Sequence, residues 1–174
     1  MKKQLLLAGL ATIALVYSCS KKDKDKFICD LSDSTLPSDD SAVVFIPNAF
    51  SPNGDGLNDQ FGPRFRNIKS IAWSVYDDQN HQLYSTTDTG AYVFWQGSGK
   101  VDKGMVLYHY KVTAVSNQGN TFSQCGNFYS FTCIPPGYNG VDTLVFSDQF
   151  NPNAPKGYLL GVSQEISISF YPCQ

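Results

Sequence analysis

The sequence predicts an all-β protein built as an antiparallel β-sandwich, and two observations lead to that prediction. Strand- and turn-forming residues are abundant, with 10 Tyr, 12 Phe and 14 Gly, whereas the strong helix former glutamate occurs once, at Glu165. Segments of alternating apolar and polar residues recur at the spacing of short strands, and turn-forming residues separate them. No amphipathic helical pattern lies between these segments, which is typical of a sandwich.

Five segments carry the strand prediction. The clearest is 106–115, which places Tyr108, Tyr110 and Val112 on one face and His109 and Lys111 on the other. The predicted strands are 42–46, 70–76, 81–86, 106–115 and 121–132, and 141–147 and 165–171 are two further strand-like runs. The turn residues 77–80 join the second and third of these strands as a hairpin.

The N-terminus has the pattern of a signal peptide. Lys2 and Lys3 precede an apolar run over 5–16, which is shorter than the roughly 20 residues that a transmembrane helix needs. The run ends in Val-Tyr-Ser-Cys at 16–19, which resembles the lipobox of bacterial lipoproteins. That resemblance implies removal of residues 1–18 and a lipid on Cys19 that anchors the protein in a membrane. Plain secretion with cleavage near Ser18 is the alternative.

Composition restricts the partners of the mature chain. Residues 19–41 are rich in Lys, Asp and Ser, which predicts a solvated polar tether. From Phe27 onward the chain has seven Lys and Arg against thirteen Asp and Glu, a net charge of −6. Because nucleic-acid-binding proteins present basic surfaces, this charge argues against a nucleic-acid partner.

Four cysteines remain if Cys19 is lipidated, namely Cys29, Cys125, Cys133 and Cys173. An even number in an exported protein predicts two disulfides, for which three connectivities are open. The spacing lacks the close cysteine pairs of a zinc site, so disulfides are favoured over a metal.

The most informative segment is FIPNAFSPNGDGLNDQF at 45–61. It resembles the opening of the gliding-motility-associated C-terminal domain, the type B sorting domain of the Bacteroidetes type IX secretion system. The resemblance continues through the hairpin over 73–84 and through 104–110, and covers roughly residues 43–132. It implies an immunoglobulin-like β-sandwich of secreted or surface proteins, without enzymatic activity of its own. We therefore expect the sandwich over 42–133, followed by a C-terminal β extension over 134–174 that packs on it.

The same segment holds a cluster of oxygen-bearing side chains that predicts a calcium site. Calcium takes six to eight oxygen ligands, and glycines allow a loop to fold tightly around one ion. The predicted ligands are the side chains of Asn53, Asp55, Asn58 and Asp59 with the carbonyl of Leu57. The alternative is a plain Asn-Gly-Asp-Gly turn that binds no metal.

Nothing in the sequence predicts catalysis. His81 and His109 are the only histidines, and neither belongs to a nucleophile, metalloprotease or phosphate-binding motif. Eight aromatic residues could form either a binding face or part of the core, and a sandwich of this size favours the core. They are Tyr84, Tyr92, Phe94, Trp95, Phe128, Tyr129, Phe131 and Tyr138.

The sequence thus predicts a non-catalytic lipoprotein of the outer membrane, facing the cell surface or the periplasm, whose sandwich is a structural or binding module. The expected partners are the membrane, through the lipid, and a protein of the cell envelope such as the type IX secretion or gliding machinery. A glycan-binding accessory lipoprotein and a secreted type IX cargo protein are the alternatives.

Overall fold

The computed structural model describes residues 26–90, 93–97, 104–133, 140 and 143–165. Within these residues the chain forms an all-β sandwich, as the sequence predicted. Its strands are β1 (Val43–Phe45), β2 (Ala49–Phe50), β3 (Arg64–Arg66), β4 (Ile68–Tyr76), β5 (Gln82–Thr86), β6 (Met105–Ser116) and β7 (Thr121–Phe131).

The strands form two sheets. The larger sheet has the order β2-β7-β6-β4-β5, and the smaller sheet pairs β1 with β3. All pairs are antiparallel except one, because β2 runs parallel to β7 and pairs Ala49 with Tyr129. The predicted antiparallel sandwich is confirmed, with this one parallel pair as a feature that the sequence did not predict. Between β1 and β2, Pro47 and Asn48 carry the chain from the smaller sheet to the larger one.

The main core fills the space between the sheets. At its centre the rings of Phe61 and Phe128 stack with centroids 3.5 Å apart, and Val44 and Phe65 pack against the cluster from the smaller sheet. Each fully buried large apolar side chain contributes roughly 1.5–3 kcal/mol to stability. The buried members are Phe50, Phe61, Ile71, Trp73, Val75, Trp95, Tyr108, Tyr110, Val112, Ala114 and Phe128.

The central strands agree with the prediction. The inner face of β6 buries Tyr108, Tyr110 and Val112, while Thr113 on the other face is exposed. The β4–β5 hairpin forms as expected, with Asn80 in the turn at a φ of 63°. Asparagine tolerates this left-handed conformation better than most residues, which explains its place there.

The C-terminal extension packs on the sandwich, but not as the predicted strand. Within the predicted strand 141–147, residues 144–146 form an irregular segment that leads into a 3-10 turn over Ser147–Gln149. The apolar run is explained by burial instead, because Leu144 and Phe146 form a second core with Ala49 and Phe131. Of the second predicted strand, 165–171, only Glu165 lies among the described residues.

The segment before β1 is attached to the sandwich, which corrects part of the predicted tether. Phe27 stacks on His109 with ring centroids 4.4 Å apart, and Ser34 pairs with Ser123 of β7 through backbone hydrogen bonds of 2.9 and 3.2 Å. Lys111 Nζ lies 2.7 Å from Asp30 Oδ1. Phe27 and Asp30 therefore pack on the outer face of the larger sheet, and Ser34 pairs with the edge of β7. Residues 19–25 lie outside the described part.

A disulfide secures this segment. Cys29 is bonded to Cys125 in the middle of β7, with the two Cα atoms 5.8 Å apart. The predicted use of these cysteines in a disulfide is confirmed. Cys133 is disulfide-bonded as well, whereas Cys19 and Cys173 lie outside the described residues. Among the residues that the structure describes, no helix is long and apolar enough to cross a membrane.

Candidate functional site

The loop between β2 and β3 begins with a compact turn held by its own acidic side chains. The Asp59 carboxylate accepts hydrogen bonds from the backbone N–H groups of Gly54 and Gly56 at 2.7 and 2.8 Å. Asp55 accepts one from Leu57 N–H at 2.8 Å and one from the Asn53 side chain at 3.0 Å. These bonds satisfy donors that the tight turn would otherwise leave to water. Both glycines have a positive φ, of 82° and 87°, which only glycine adopts without strain.

Asn58 joins this loop to the C-terminal extension. Its φ of 50° is in the left-handed region, and its side-chain amide reaches two residues far along the chain. Asn58 Oδ1 accepts a hydrogen bond from Asp148 N–H at 3.0 Å, and Asn58 Nδ2 lies 3.4 Å from Glu165 Oε2. One asparagine therefore bridges the extension at two points, since a side-chain amide offers both an acceptor and a donor.

Glu165 is fully buried at this junction. Desolvation raises the pKa of its carboxyl above the ordinary value, hydrogen bonds from Ser51 and Asn58 oppose the rise, and the charges of Asp55 and Asp148 add to it. Its second oxygen, Oε1, has no hydrogen-bond partner among the residues that the structure describes. A buried carboxylate that lacks a full set of partners is costly, so this group needs a physical explanation.

Asp148 is a second acid on the extension side of the junction. Its carboxylate accepts hydrogen bonds from the Ser163 hydroxyl at 2.9 and 3.0 Å and from Gln164 N–H at 3.0 Å. Together Asp148 and Ser163 hold the end of the described extension against the turn that carries Gln149. The extension thus presents two carboxyl groups, Asp148 and Glu165, close to the acidic loop.

The predicted calcium ligands are brought together only in part. Asn53, Asp55 and Asp59 share the turn, but their side chains are engaged with the loop itself, and Leu57 contributes its N–H. Asn58 faces the extension instead. Across the described residues, no three His, Cys, Asp or Glu side chains are arranged as a ready metal centre. Calcium at this loop stays a prediction.

The strands and the loop together correspond to a known domain. Residues 44–129 match the family model of the CHU_C type IX secretion signal domain. This stretch of the chain belongs to that family. No curated protein and no solved structure matches the chain.

The family match gives the chain a division into three parts. The type IX secretion signal domain contains nearly all of the sandwich and the acidic loop. Cys29, Phe146 and Glu165 lie outside the matched residues, yet all three are bonded to or packed against the signal domain or its final strand. The chain therefore carries a type IX secretion signal domain that is in contact with the segment before it and with the segment after it.

Asn48, within the signal domain's opening motif, makes a close contact with the extension. Its side chain accepts a hydrogen bond from Val145 N–H at 2.6 Å and donates one to Thr143 O at 2.9 Å. Sequence patterns did not single out Asn48, Asp148 or Glu165, because contacts across some 90 to 110 residues leave no local signal. The isolated Glu165 in a chain without other glutamates was the one available hint.

Both histidines of the signal domain have structural partners. His81 Nδ1 lies 2.9 Å from Asp77 Oδ2 within the β4–β5 hairpin, where the same carboxylate also accepts the His81 N–H. These bonds hold the pKa of Asp77 below its ordinary value, against the effect of burial. His109 Nδ1 lies 2.7 Å from Asn127 Oδ1, and its ring stacks on Phe27.

The aromatic residues of the signal domain mostly serve packing. Among those considered for a binding face, Trp95, Phe128 and Phe131 are buried, and Tyr84, Phe94 and Tyr129 are partly buried. Trp95 packs edge-on against Tyr108, with centroids 4.9 Å apart. The preference for core is thus confirmed for Trp95, Phe128 and Phe131. Tyr84 and Tyr129 pack against the two core clusters, and Tyr92 and Tyr138 lie outside the described residues.

Proposed function

We propose that the chain is a lipid-anchored protein of the cell envelope in which the type IX secretion signal domain is a built-in, non-catalytic structural or binding module. The packing of the extension carries this proposal. Leu144 and Phe146 share a core with Ala49 and Phe131, so the signal domain and the chain that follows it form one folded unit. A removable export signal has no need of a second core shared with its neighbour.

The anchor is supported by the N-terminal sequence. A basic start, an apolar run too short to span a bilayer and a cysteine at its end are the features of a lipoprotein precursor. Lipidation of Cys19 also accounts for the odd cysteine, because Cys29 and Cys125 are paired and Cys133 is disulfide-bonded. The lipid would be sufficient to localise the protein to a membrane, without a contribution from the signal domain.

The non-catalytic role is supported by the engagement of the two histidines. His81 is tied to the hairpin turn by Asp77, and His109 is held between Phe27 and Asn127. Both rings serve local packing, and no acid–base pair beside a nucleophile is evident around them in the described part of the chain.

A secreted type IX cargo protein is the second candidate, and the family match favours it. In that case the signal domain would direct export through the type IX system, and the protein would be released or displayed without its own lipid. Glycan binding receives less support, because six of the aromatics that could form a sugar platform are buried or partly buried.

The two candidate functions predict different locations of the protein and a different dependence of that location on the type IX system. We would express the full chain and a Cys19→Ser variant in a bacterium with an active type IX system and in a matched strain in which that system is disabled. Antibodies against the purified protein would follow it in membrane and medium fractions, and mass spectrometry would define both of its ends. We expect acylated wild-type protein in the membrane fraction of both strains, and Cys19→Ser protein in the soluble fractions.

Release into the medium only when the type IX system is active, with an N-terminus that carries no lipid, would identify the protein as cargo. Cys19→Ser is the matched control, because it removes the acylation site and leaves the signal domain and both flanking segments unchanged.

A further inference from the structure

The outer face of the larger sheet carries a cluster of aromatic and basic side chains from two neighbouring strands. Tyr76 of β4 lies directly opposite His109 of β6, and Lys111 is two residues further along β6. Paired residues, and alternate residues of one strand, point to the same side of a sheet, so the three side chains share one face. All three belong to the signal domain, which matches residues 44–129.

A segment from outside the signal domain covers this cluster. We call this segment, residues 27–34, the N-terminal strap. The ring of Phe27 lies parallel to that of His109, with 3° between the ring planes, and its centroid is 5.5 Å from that of Tyr76. Lys111 Nζ is 5.0 Å from the Tyr76 centroid and 5.5 Å from the Phe27 centroid, within the range of cation–π attraction.

The strap is attached to the sheet at few points. Asp30 places a carboxylate 2.7 Å from the Lys111 ammonium, and the Lys111 side chain is only 17% exposed. Ser34 alone in the strap exchanges backbone hydrogen bonds with β7. A ring stack, an exposed ion pair and one bridge are individually weak, so the disulfide between Cys29 and Cys125 is the strongest attachment.

We propose that the N-terminal strap is an autoinhibitory cover over a binding face of the signal domain. That face recognises an extended segment of a partner protein in which an aromatic residue is followed three residues later by an acid. Phe27 and Asp30 supply these two groups within the folded chain, so a partner segment has to displace them. Because the strap is closed covalently, the face opens when the disulfide is reduced.

A dithiol opens the strap by thiol–disulfide exchange. Its thiolate attacks the sulfur of Cys29, which is the more exposed of the two cysteines, and Cys125 leaves as a thiolate. The second thiol of the reductant then displaces Cys29, so the reductant becomes a disulfide and its two protons pass to the cysteines. Exposed disulfides are more readily reduced than buried ones, which suits this one to a regulatory role.

The test follows a labelled peptide of residues 26–35, with Cys29→Ser, by fluorescence anisotropy. The peptide is titrated into the chain from residue 19 onward, with Cys19→Ser in every sample so that no lipid or extra thiol interferes. The closed form is otherwise wild-type. The open variant keeps the face and disables the strap by Phe27→Ala, Cys29→Ser, Asp30→Ala and Cys125→Ser. We expect the open variant to bind the peptide about tenfold more tightly than the closed form, or better.

Two substitutions test whether the peptide is recognised by the face. Phe27→Ala in the peptide should weaken binding to the open variant about tenfold, because the ring stack and a cation–π contact are lost. Lys111→Gln in the open variant should weaken it about fivefold. Lys69→Gln is the matched control, since it removes an exposed lysine near the start of β4 and should leave the affinity unchanged. Circular dichroism would establish that each variant is folded.

Reduction with dithiothreitol is a second test that changes no residue of the strap or of the face. The closed form should gain peptide binding, although less than the open variant, because its strap still competes. The open variant should keep its affinity under the same treatment, which separates this effect from reduction at Cys133.

The proposal does not depend on the lipid anchor or on the route of export. It would be overturned by equal binding to the closed and open forms. It would also be overturned if neither the folded open variant nor the reduced wild type bound the peptide at concentrations up to about 1 mM. Equal effects of Lys111→Gln and Lys69→Gln would show that the peptide binds elsewhere, with the same consequence.

Discussion

At the scale of single residues, Asn48 shows how one side chain can define a junction. Its backbone N–H donates to Val145 O, its carbonyl accepts from Tyr129 N–H, and its side chain bonds Val145 and Thr143. Only an amide side chain offers a donor and an acceptor side by side, so aspartate or serine could not replace all of these bonds. The residue thus connects β7 to the extension through the start of β2.

Asn48→Ala should lower the free energy of unfolding by about 2 kcal/mol, because it removes two side-chain hydrogen bonds. One of these losses leaves the N–H group of the buried Val145 without the Asn48 oxygen that accepts its hydrogen bond. Urea unfolding followed by the fluorescence of the buried tryptophans would measure the change. Asn117→Ala is the control, since this exposed turn residue makes its contact with Asn67 through the backbone alone. Equal losses in the two variants would contradict the role given to Asn48.

At the scale of elements, the sequence predicted what alternation can reveal. The bounds of β6 and β7 were predicted to within about one residue, because β6 buries alternate residues and the turn residues 117–120 mark where β7 begins. β3 was not predicted, because Arg64–Arg66 is only three residues long and has a charged residue at each end. The prediction of a strand at 141–147 was wrong for its described residues. Leu144 and Phe146 are apolar because they are buried in the second core, and they form no strand pairing.

The residues of the candidate site also divide into those that the sequence could predict and those that it could not. The loop residues Asn53 to Asp59 could be predicted, because their spacing is local and glycine marks the turn. Asp148 and Glu165 could not, because only the folded chain brings them to Asn58.

The segment before β1 depends on its disulfide, which closes a span of 96 residues. Replacing Cys29 and Cys125 together by serine should lower the free energy of unfolding by about 2–5 kcal/mol. Hydrogen exchange at the Ser34 and Ser123 amides should rise at the same time, since the segment then pairs with β7 without a covalent link.

Asp30→Asn is the comparison for that experiment. It weakens only the exposed contact with Lys111, so it should change the unfolding midpoint little. Protection of Ser34 that survives in the double serine variant would show that packing by Phe27 is sufficient to hold the segment.

At the scale of the whole molecule, β7 is the strand on which the chain's three parts meet. Cys125 and Ser123 hold the segment before the signal domain, and Tyr129 and Phe131 pack against the second core that the extension completes. The matched family ends at residue 129, within this strand. The signal domain is therefore joined to both neighbours at its last strand.

This arrangement, with Cys19 lipidated, leaves Cys173 as the partner of Cys133. Digestion of the unreduced protein with trypsin and chymotrypsin should yield a peptide in which these two cysteines are linked, beside the Cys29–Cys125 peptide. A Cys133–Cys19 link would contradict the expectation, and it would also exclude the lipid, since a thioether-modified sulfur cannot form a disulfide.

If Cys19 carries a lipid, the disulfide of Cys29 to β7 limits how far the sandwich can stand from the membrane. Cys29 is ten residues after Cys19, and a fully extended chain of ten residue steps reaches about 33–36 Å. With the lipid on Cys19, the middle of β7 stays within about 40 Å of the lipidated residue, because the disulfide, whose Cα atoms are 5.8 Å apart, adds to the reach of the chain before Cys29. A partner protein embedded in the same membrane can then contact the sandwich directly. A large soluble partner has little space between the sandwich and the membrane surface.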